Sequence, residues 1–305
     1  MSSSPQVIVE AAINGATPKS RNPHVPVVPN EIASEALRCL GAGAAIVHNH
    51  IDDFSLSGTT AAERYLAGWR PIVRERRDAI LYCTVAVGGS VAARFAHVPL
   101  LAESGLMRMG VLDPGSVNLG AASDDGLPGP IEFVYANSYG DIRYVVDQLH
   151  HCRLGPSISI FEPGFLRTAL VYHRAGQLPP GAFVKFYFGG DHGYLGGTSS
   201  GVTFGLPPTP KALDAYLEMM DGCDLPWAVA VIGGDVIASG LARLALERGG
   251  HLRVGLEDYA GPRTPTNVEL IDAATALAQQ VGRPIATPDE AARILKLPRE
   301  LTTGH

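Results

Sequence analysis

The constraint that decides most about this chain is the repeated alternation of short apolar runs with longer amphipathic stretches. Runs of about 5–7 branched and apolar residues read as strands buried on both faces, and the longer stretches read as helices. Strands are predicted over Gln6–Ala12, Ala44–His50, Ala79–Ala86, Leu106–Leu112, Ser157–Phe161, Phe183–Phe188, Trp227–Ile232 and His251–Leu256. Helices are predicted over Asn30–Leu40, with Asn30 as N-cap and Gly41 as stop, and over Thr59–Arg76, disturbed at Pro71. Further helices follow over Val91–Glu103, Asp141–Cys152, Phe165–Ala175, Lys211–Asp221, Val236–Arg248 and Val268–Val281, and a last short one over Asp289–Leu295. Strand–helix alternation means a parallel sheet, and eight units in 305 residues predict an α/β fold of the (β/α)8 TIM-barrel type. An open doubly wound sheet is the competing architecture; the first strand-turn, AAINGATPKS, lacks the GxGxxG that would favour it. The reading is one barrel domain over 1–305 with a short C-terminal helical extension.

Composition narrows the function classes. Hydrophobic residues are 46% and charged residues 18%, which supports a sizeable core and excludes a disordered chain. A net charge of −6 argues against a general nucleic-acid binder. No apolar run reaches the length of a membrane span, and the N-terminus lacks the basic-then-apolar order of a secretory signal. Four cysteines, at 39, 83, 152 and 223, form no CxxC pair and predict reduced thiols in a cytoplasmic protein.

A barrel places its active site at the C-terminal ends of its strands. The second strand ends in His48-Asn49-His50. Positions i and i+2 of a strand share a face, so the two histidines point together with metal-ligand spacing; two unrelated polar residues at a strand terminus are the competing reading. On the eighth strand His251, Arg253, Gly255 and Glu257 are expected on one face. Charges on the inward face need partners. A metal held by His48, His50 and Glu257 would satisfy the carboxylate, and two histidines with one carboxylate suit a catalytic zinc site. Asp258 would lie beside the metal as a base, with Arg253 holding its charge. An ion pair of Arg253 with Glu257 or Asp258 is the structural alternative. Glu10, Thr84, Gly88, Gly89, Asp113 and Glu162 are expected at or near strand ends as pocket residues, though capping and loop roles are commoner for such residues. The glycine-rich stretch Gly189–Gly201 lacks a Walker A lysine pattern and reads equally as a mobile lid.

With VHNH around His48 and His50, GGHLRVGLED over 249–258 and GRPIATPDEAARIL over 282–295, the chain resembles the beta-keto acid cleavage enzymes. NPHVPVVPNEI (22–32), GSVNLG (115–120) and TNVELI (266–271) are weaker matches. The resemblance implies a zinc-bearing barrel, a homotetramer, that condenses a β-keto acid with acetyl-CoA and cleaves the product to acetoacetate and a new CoA thioester. It implies His48, His50 and Glu257 as zinc ligands, Asp258 as general base and Arg253 as its partner. The chain departs from the family pattern around the substrate carboxylate. Val111-Leu112-Asp113 stands where the family usually has Thr-Leu-Asn, extra residues precede Gly88-Gly89, and Val231-Ile-Gly-Gly234 replaces Gly-Ile-Gly-Arg. An ionised Asp113 would repel a substrate carboxylate. A CoA-independent zinc lyase or hydrolase is therefore a second expectation, and a non-catalytic binding protein on the same barrel a third.

Overall fold

A computed structural model describes residues 5–120, 122–129, 133–192 and 204–298. Eight parallel strands wind into a nearly closed barrel: β1 (Val9–Ala12), β2 (Ile46–Asn49), β3 (Ile80–Cys83), β4 (Met109–Leu112), β5 (Gly155–Ile160), β6 (Phe183–Gly189), β7 (Trp227–Ile232) and β8 (His251–Val254). Hydrogen-bonded pairing runs β3-β2-β1-β8-β7-β6-β5-β4. The seam between β3 and β4 is bridged by one backbone bond, Arg108 N–H to Leu81 O at 3.3 Å. This is the (β/α)8 TIM barrel that the alternation predicts.

Strand cores coincide with expectation, but their ends are trimmed. The eighth strand stops at Val254 rather than Leu256 because Gly255 turns there with φ +144°. A Cβ on Gly255 would lie 2.0 Å from Ala12 O, so only glycine lets β8 leave β1 this closely. The first helix starts at Pro29, with Val28 rather than Asn30 at its N-cap, and runs past Gly41 to stop at the left-handed Gly43. The stretch expected as one helix over Val91–Glu103 is two, Val91–Phe95 and His97–Glu103, joined at Ala96. Pro71 is carried inside the helix Gly58–Glu75, whose buried Trp69 and Ile72 anchor the turns around it. A short antiparallel ribbon, Val117–Asn118 with Val134–Tyr135, rises after β4 and carried no clear strand pattern.

The underside of the barrel is closed by the C-terminal segment. Ala286 N–H donates to Val7 O and Val7 N–H to Pro284 O, both at 2.8 Å. The Arg283 guanidinium donates to the carbonyls of Pro5, Leu246 and Gly250. The GRPIATPDEAARIL segment thus holds the end of the barrel away from the polar cluster described next.

Candidate active site

The barrel interior is polar where branched aliphatics are usual. Glu10 pairs in register with Arg253, and Ser159 with Lys185. Glu10, Lys185, Arg253, Ser157 and Tyr82 are all fully buried.

At the C-terminal end of β2, His48 and His50 face one another with Nε2 atoms 3.1 Å apart. Asn49 between them points outward and accepts from Trp69 Nε1 at 2.8 Å, which fixes the alternation. The backbone is tied by Asn14, whose Oδ1 accepts from His50 N–H at 2.8 Å and whose Nδ2 donates to His50 O at 3.0 Å. His48 Nδ1 lies 3.3 Å from Tyr82 O, which leaves its Nε2 lone pair toward the centre. Glu257 brings Oε2 to 3.4 Å from His48 Nε2 and Oε1 to 3.3 Å from His50 Nε2. The three ligand atoms all lie within 4.8 Å of one another. Burial holds the His48 imidazole well below its usual range, so it stays neutral with a lone pair to share; the Glu257 carboxylate only partly opposes this. Glu257 Oε2 is buried without a hydrogen-bond partner. Two imidazoles and a carboxylate converging in this way fit the ligand set of a divalent cation.

Arg253 joins this group to its neighbours. Its Nε and Nη2 grip Asp258 Oδ2 and Oδ1 at 2.8 and 2.9 Å, a two-point fork. Nη2 also reaches Glu257 Oε1 at 3.0 Å, and Nη1 reaches Glu10 Oε1 at 2.9 Å. The ion-pair alternative is present, since Arg253 pairs with both Glu257 and Asp258, and Glu257 lies beside the two histidines as well. The i, i+2 argument for Glu257 does not hold, because the strand has ended; a turn after Gly255 swings Glu257 and Asp258 inward together.

The two adjacent carboxylates are pushed apart in acidity. Burial raises Asp258, Arg253 pulls it down, Glu257 and Glu10 push it up again, and the outcome lies above the ordinary value. Burial also works to raise Glu257, but Arg253, His50 and His48 outweigh it and hold it well below the ordinary range. Glu10 is held at about 2: burial raises it, and Lys185, Arg253 and the Tyr82 hydroxyl overcome that.

The remaining expected residues lie elsewhere around the mouth. Thr84 follows β3, and its carbonyl lies 2.8 Å from His97 Nε2. Gly88 and Gly89 are exposed, with φ of +83° and +73°, just before the Ser90 cap of the next helix. Asp113 accepts from the Tyr135 hydroxyl of the ribbon, and burial raises its carboxyl. Val111 lies partly buried two residues before it on β4. Glu162 accepts from Gly205 N–H at 2.8 Å, anchoring the chain that follows β6. Of the stretch Gly189–Gly201, residues 193–201 lie outside the described residues. Sequence reasoning missed Lys185, Tyr82, Tyr187 and Asn14. Tyr82 stacks on His48 with ring centroids 4.3 Å apart, and the Arg253 guanidinium carbon lies 5.1 Å from the Tyr187 ring centre.

Residues 6–297 match the beta-keto acid cleavage enzyme family. The chain belongs to that family. The 3-keto-5-aminohexanoate cleavage enzyme of Fusobacterium nucleatum is 29% identical over 299 residues, covering 96% of this chain and 98% of the relative. The 3-oxoadipate:acetyl-CoA acetyltransferase of Cupriavidus necator is 27% identical over 301 residues, covering 95% of each. The apo structure of ObcA superposes with TM-score 0.65 at 18% identity, over 92% of this chain and 66% of that longer one, and shows the shared fold. Family membership makes the chain an enzyme, an acyltransferase. Among the described residues, no helix is long and apolar enough to cross a membrane.

Proposed function

We propose that this enzyme exchanges an acyl group between a β-keto acid and acetyl-CoA, giving acetoacetate and a new acyl-CoA. The observation that carries the reading is the convergence of His48, His50 and Glu257 beside an Asp258 gripped by Arg253. His48, His50 and Glu257 would hold a divalent cation, zinc by preference, and such an ion supplies Lewis-acid stabilisation of the charge that develops on the keto oxygen.

The chain's own residues account for the proton and the geometry. Asp258, with its raised pKa, takes the α-proton of the β-keto acid. Arg253 fixes the carboxylate so that it presents in one orientation. The carbanion attacks the acetyl thioester carbonyl, a C–C bond forms and CoA thiolate leaves. The thiolate then attacks the original keto carbonyl, the older C–C bond breaks, and the released carbanion takes back the proton held by Asp258 to give acetoacetate. Atoms balance with no oxidant and no enzyme-bound acyl group.

Thr84, Gly88, Gly89, Asp113 and Glu162 are assigned to the acyl-chain side of the pocket, with Glu10 beneath it. Burial raises the Asp113 carboxyl although the Tyr135 phenol that donates to it works the other way, and a shift in that direction eases the repulsion that an ionised group would exert on a carboxylate. The reading includes a cytoplasmic homotetramer, supported by the family resemblance and the four free thiols.

The test is metal content of the wild type and of His48→Ala, with an acetyl-CoA consumption assay over a panel of β-keto acids. Near-stoichiometric zinc, lost in the variant, together with acetoacetate formed from one panel member, is expected. Turnover of a keto acid with no acetyl-CoA present would replace this reading by a CoA-independent lyase or hydrolase.

A further inference from the structure

Lys185 is a charged member of the buried cluster that the proposed chemistry does not use. It projects from β6 into the barrel, 1% exposed, across from the metal-ligand set. Its Nζ donates to Glu10 Oε1 at 3.1 Å and to the Tyr82 hydroxyl at 2.6 Å. The Tyr82 hydroxyl donates in turn to the same Glu10 oxygen at 2.6 Å. That oxygen also takes Arg253 Nη1 at 2.9 Å, so one carboxylate atom receives three donors while Oε2 receives none. The Tyr82 ring meanwhile stacks on the His48 imidazole. One network therefore touches both the arginine that grips Asp258 and the histidine beside Glu257.

Stability does not explain it. A buried ionic set of this kind is often no better than apolar residues of the same volume, and sometimes worse. Aliphatic layers fill other barrels of this type. Charge offers an explanation. Glu10, Glu257 and Asp258 against Lys185 and Arg253 leave a formal excess of one negative charge. A divalent cation would turn that into an excess of one positive charge, the complement of a singly charged β-keto carboxylate. Without Lys185 the loaded cluster would be neutral.

We propose that Lys185, acting through Glu10 and Tyr82, is a positioning residue: it locks the Arg253 guanidinium beneath Asp258 and sets the pocket's charge for one anionic group. The second half rests on the β-keto acid reading above; the first half does not.

The variants are Lys185→Met, Lys185→Arg and the charge-balanced pair Lys185→Met with Glu10→Gln, which keeps the volume and serves if the single variant does not fold. Three quantities are read on each zinc-loaded protein: thermal midpoint, the Kd of acetoacetate alone by calorimetry, and the exchange rate of the Arg253 Nε–H proton by NMR. The paired variant is expected to melt within a few degrees of wild type. Its Nε–H exchange is expected to rise ~10-fold, while its acetoacetate affinity, the net charge being unchanged, is expected to stay near that of wild type; Lys185→Met alone, or Lys185→Gln if that variant does not fold, is expected to lose at least ~10-fold in acetoacetate affinity. Lys185→Arg is expected to restore most of both. A paired variant with wild-type exchange overturns the positioning half and leaves a structural ion pair, and a singly substituted Lys185 variant with wild-type acetoacetate affinity overturns the charge half. Wild-type protein that binds zinc but no acetoacetate defeats the β-keto acid reading and the charge half with it. The positioning half is then decided by the Nε–H exchange alone.

Discussion

Asp258 and Glu257 are chain neighbours on the same guanidinium, yet they are held at opposite acidities. Environments that separate paired carboxylates in this way mark out acid–base roles. Asp258→Asn is expected to lower kcat by about 10²–10⁴ while metal content and KM change little; a variant with near wild-type kcat would remove Asp258 from proton transfer. Because Asp258 must be ionised to act and its pKa is raised, the acid limb of the rate profile is expected above the ordinary aspartate range. These residues were legible because VHNH and RVGLED each pack several polar groups into a few positions. Lys185 and Tyr82 were not, since FVKFYF and AILYCTVA read as continuous apolar strands. Both faces of a barrel strand are buried, so alternation does not separate the face that meets the helices from the one that meets the pocket.

At the scale of elements, the site depends on two glycines as much as on its ligands. Gly15 follows β1 with φ +54°, and a Cβ there would lie 2.3 Å from Glu257 Cγ. Gly15→Ala is expected to displace the Glu257 side chain and cut metal affinity by about 10–100-fold, with the secondary structure intact; this falls in the range for supporting-residue mutations at metal sites. Metal titration with circular dichroism on the same samples checks it, and unaltered affinity would show that Glu257 has room to adjust. Gly255→Ala meets backbone instead of a side chain and should cost more than about 3 kcal/mol of stability, read as a shift in denaturant midpoint. The alternation of strands and helices was readable along the sequence, and so were most element centres. Ends were less so. Where β8 stops is settled by how closely it approaches Ala12, a contact between segments more than two hundred residues apart.

For the whole molecule, two buried groups tie folding to pH. His251 is neutral and accepts from Ile8 N–H through Nδ1 at 3.0 Å; burial, helped by Arg283, lowers its pKa from 6.5 to about 3. Glu10 falls from 4.5 to about 2. Both folded-state values are depressed, so both contributions are complete above the unfolded pKa and are lost as pH falls toward the folded one. Stability is expected to decline from about pH 6.5 downward and more steeply below about 4.5, with each group contributing on the order of 3–5 kcal/mol. Urea midpoints across pH 8 to 4 measure this, and a midpoint flat from pH 7 to 5 would mean that His251 is already protonated or free to become so.

The seam between β3 and β4 has a further consequence. A fully paired ring has no edges, but a ring stitched by one backbone bond retains two, lying side by side. The chain crosses from one edge to the other through the short helices Val91–Phe95 and His97–Glu103, which bury Phe95, Val98 and Leu101. Losing that cover would offer two unpaired strands to neighbouring molecules. That gap is thus the barrel's point of entry into aggregation, and heat or truncation acting on those two helices would be expected to clump the protein before the remaining strands part.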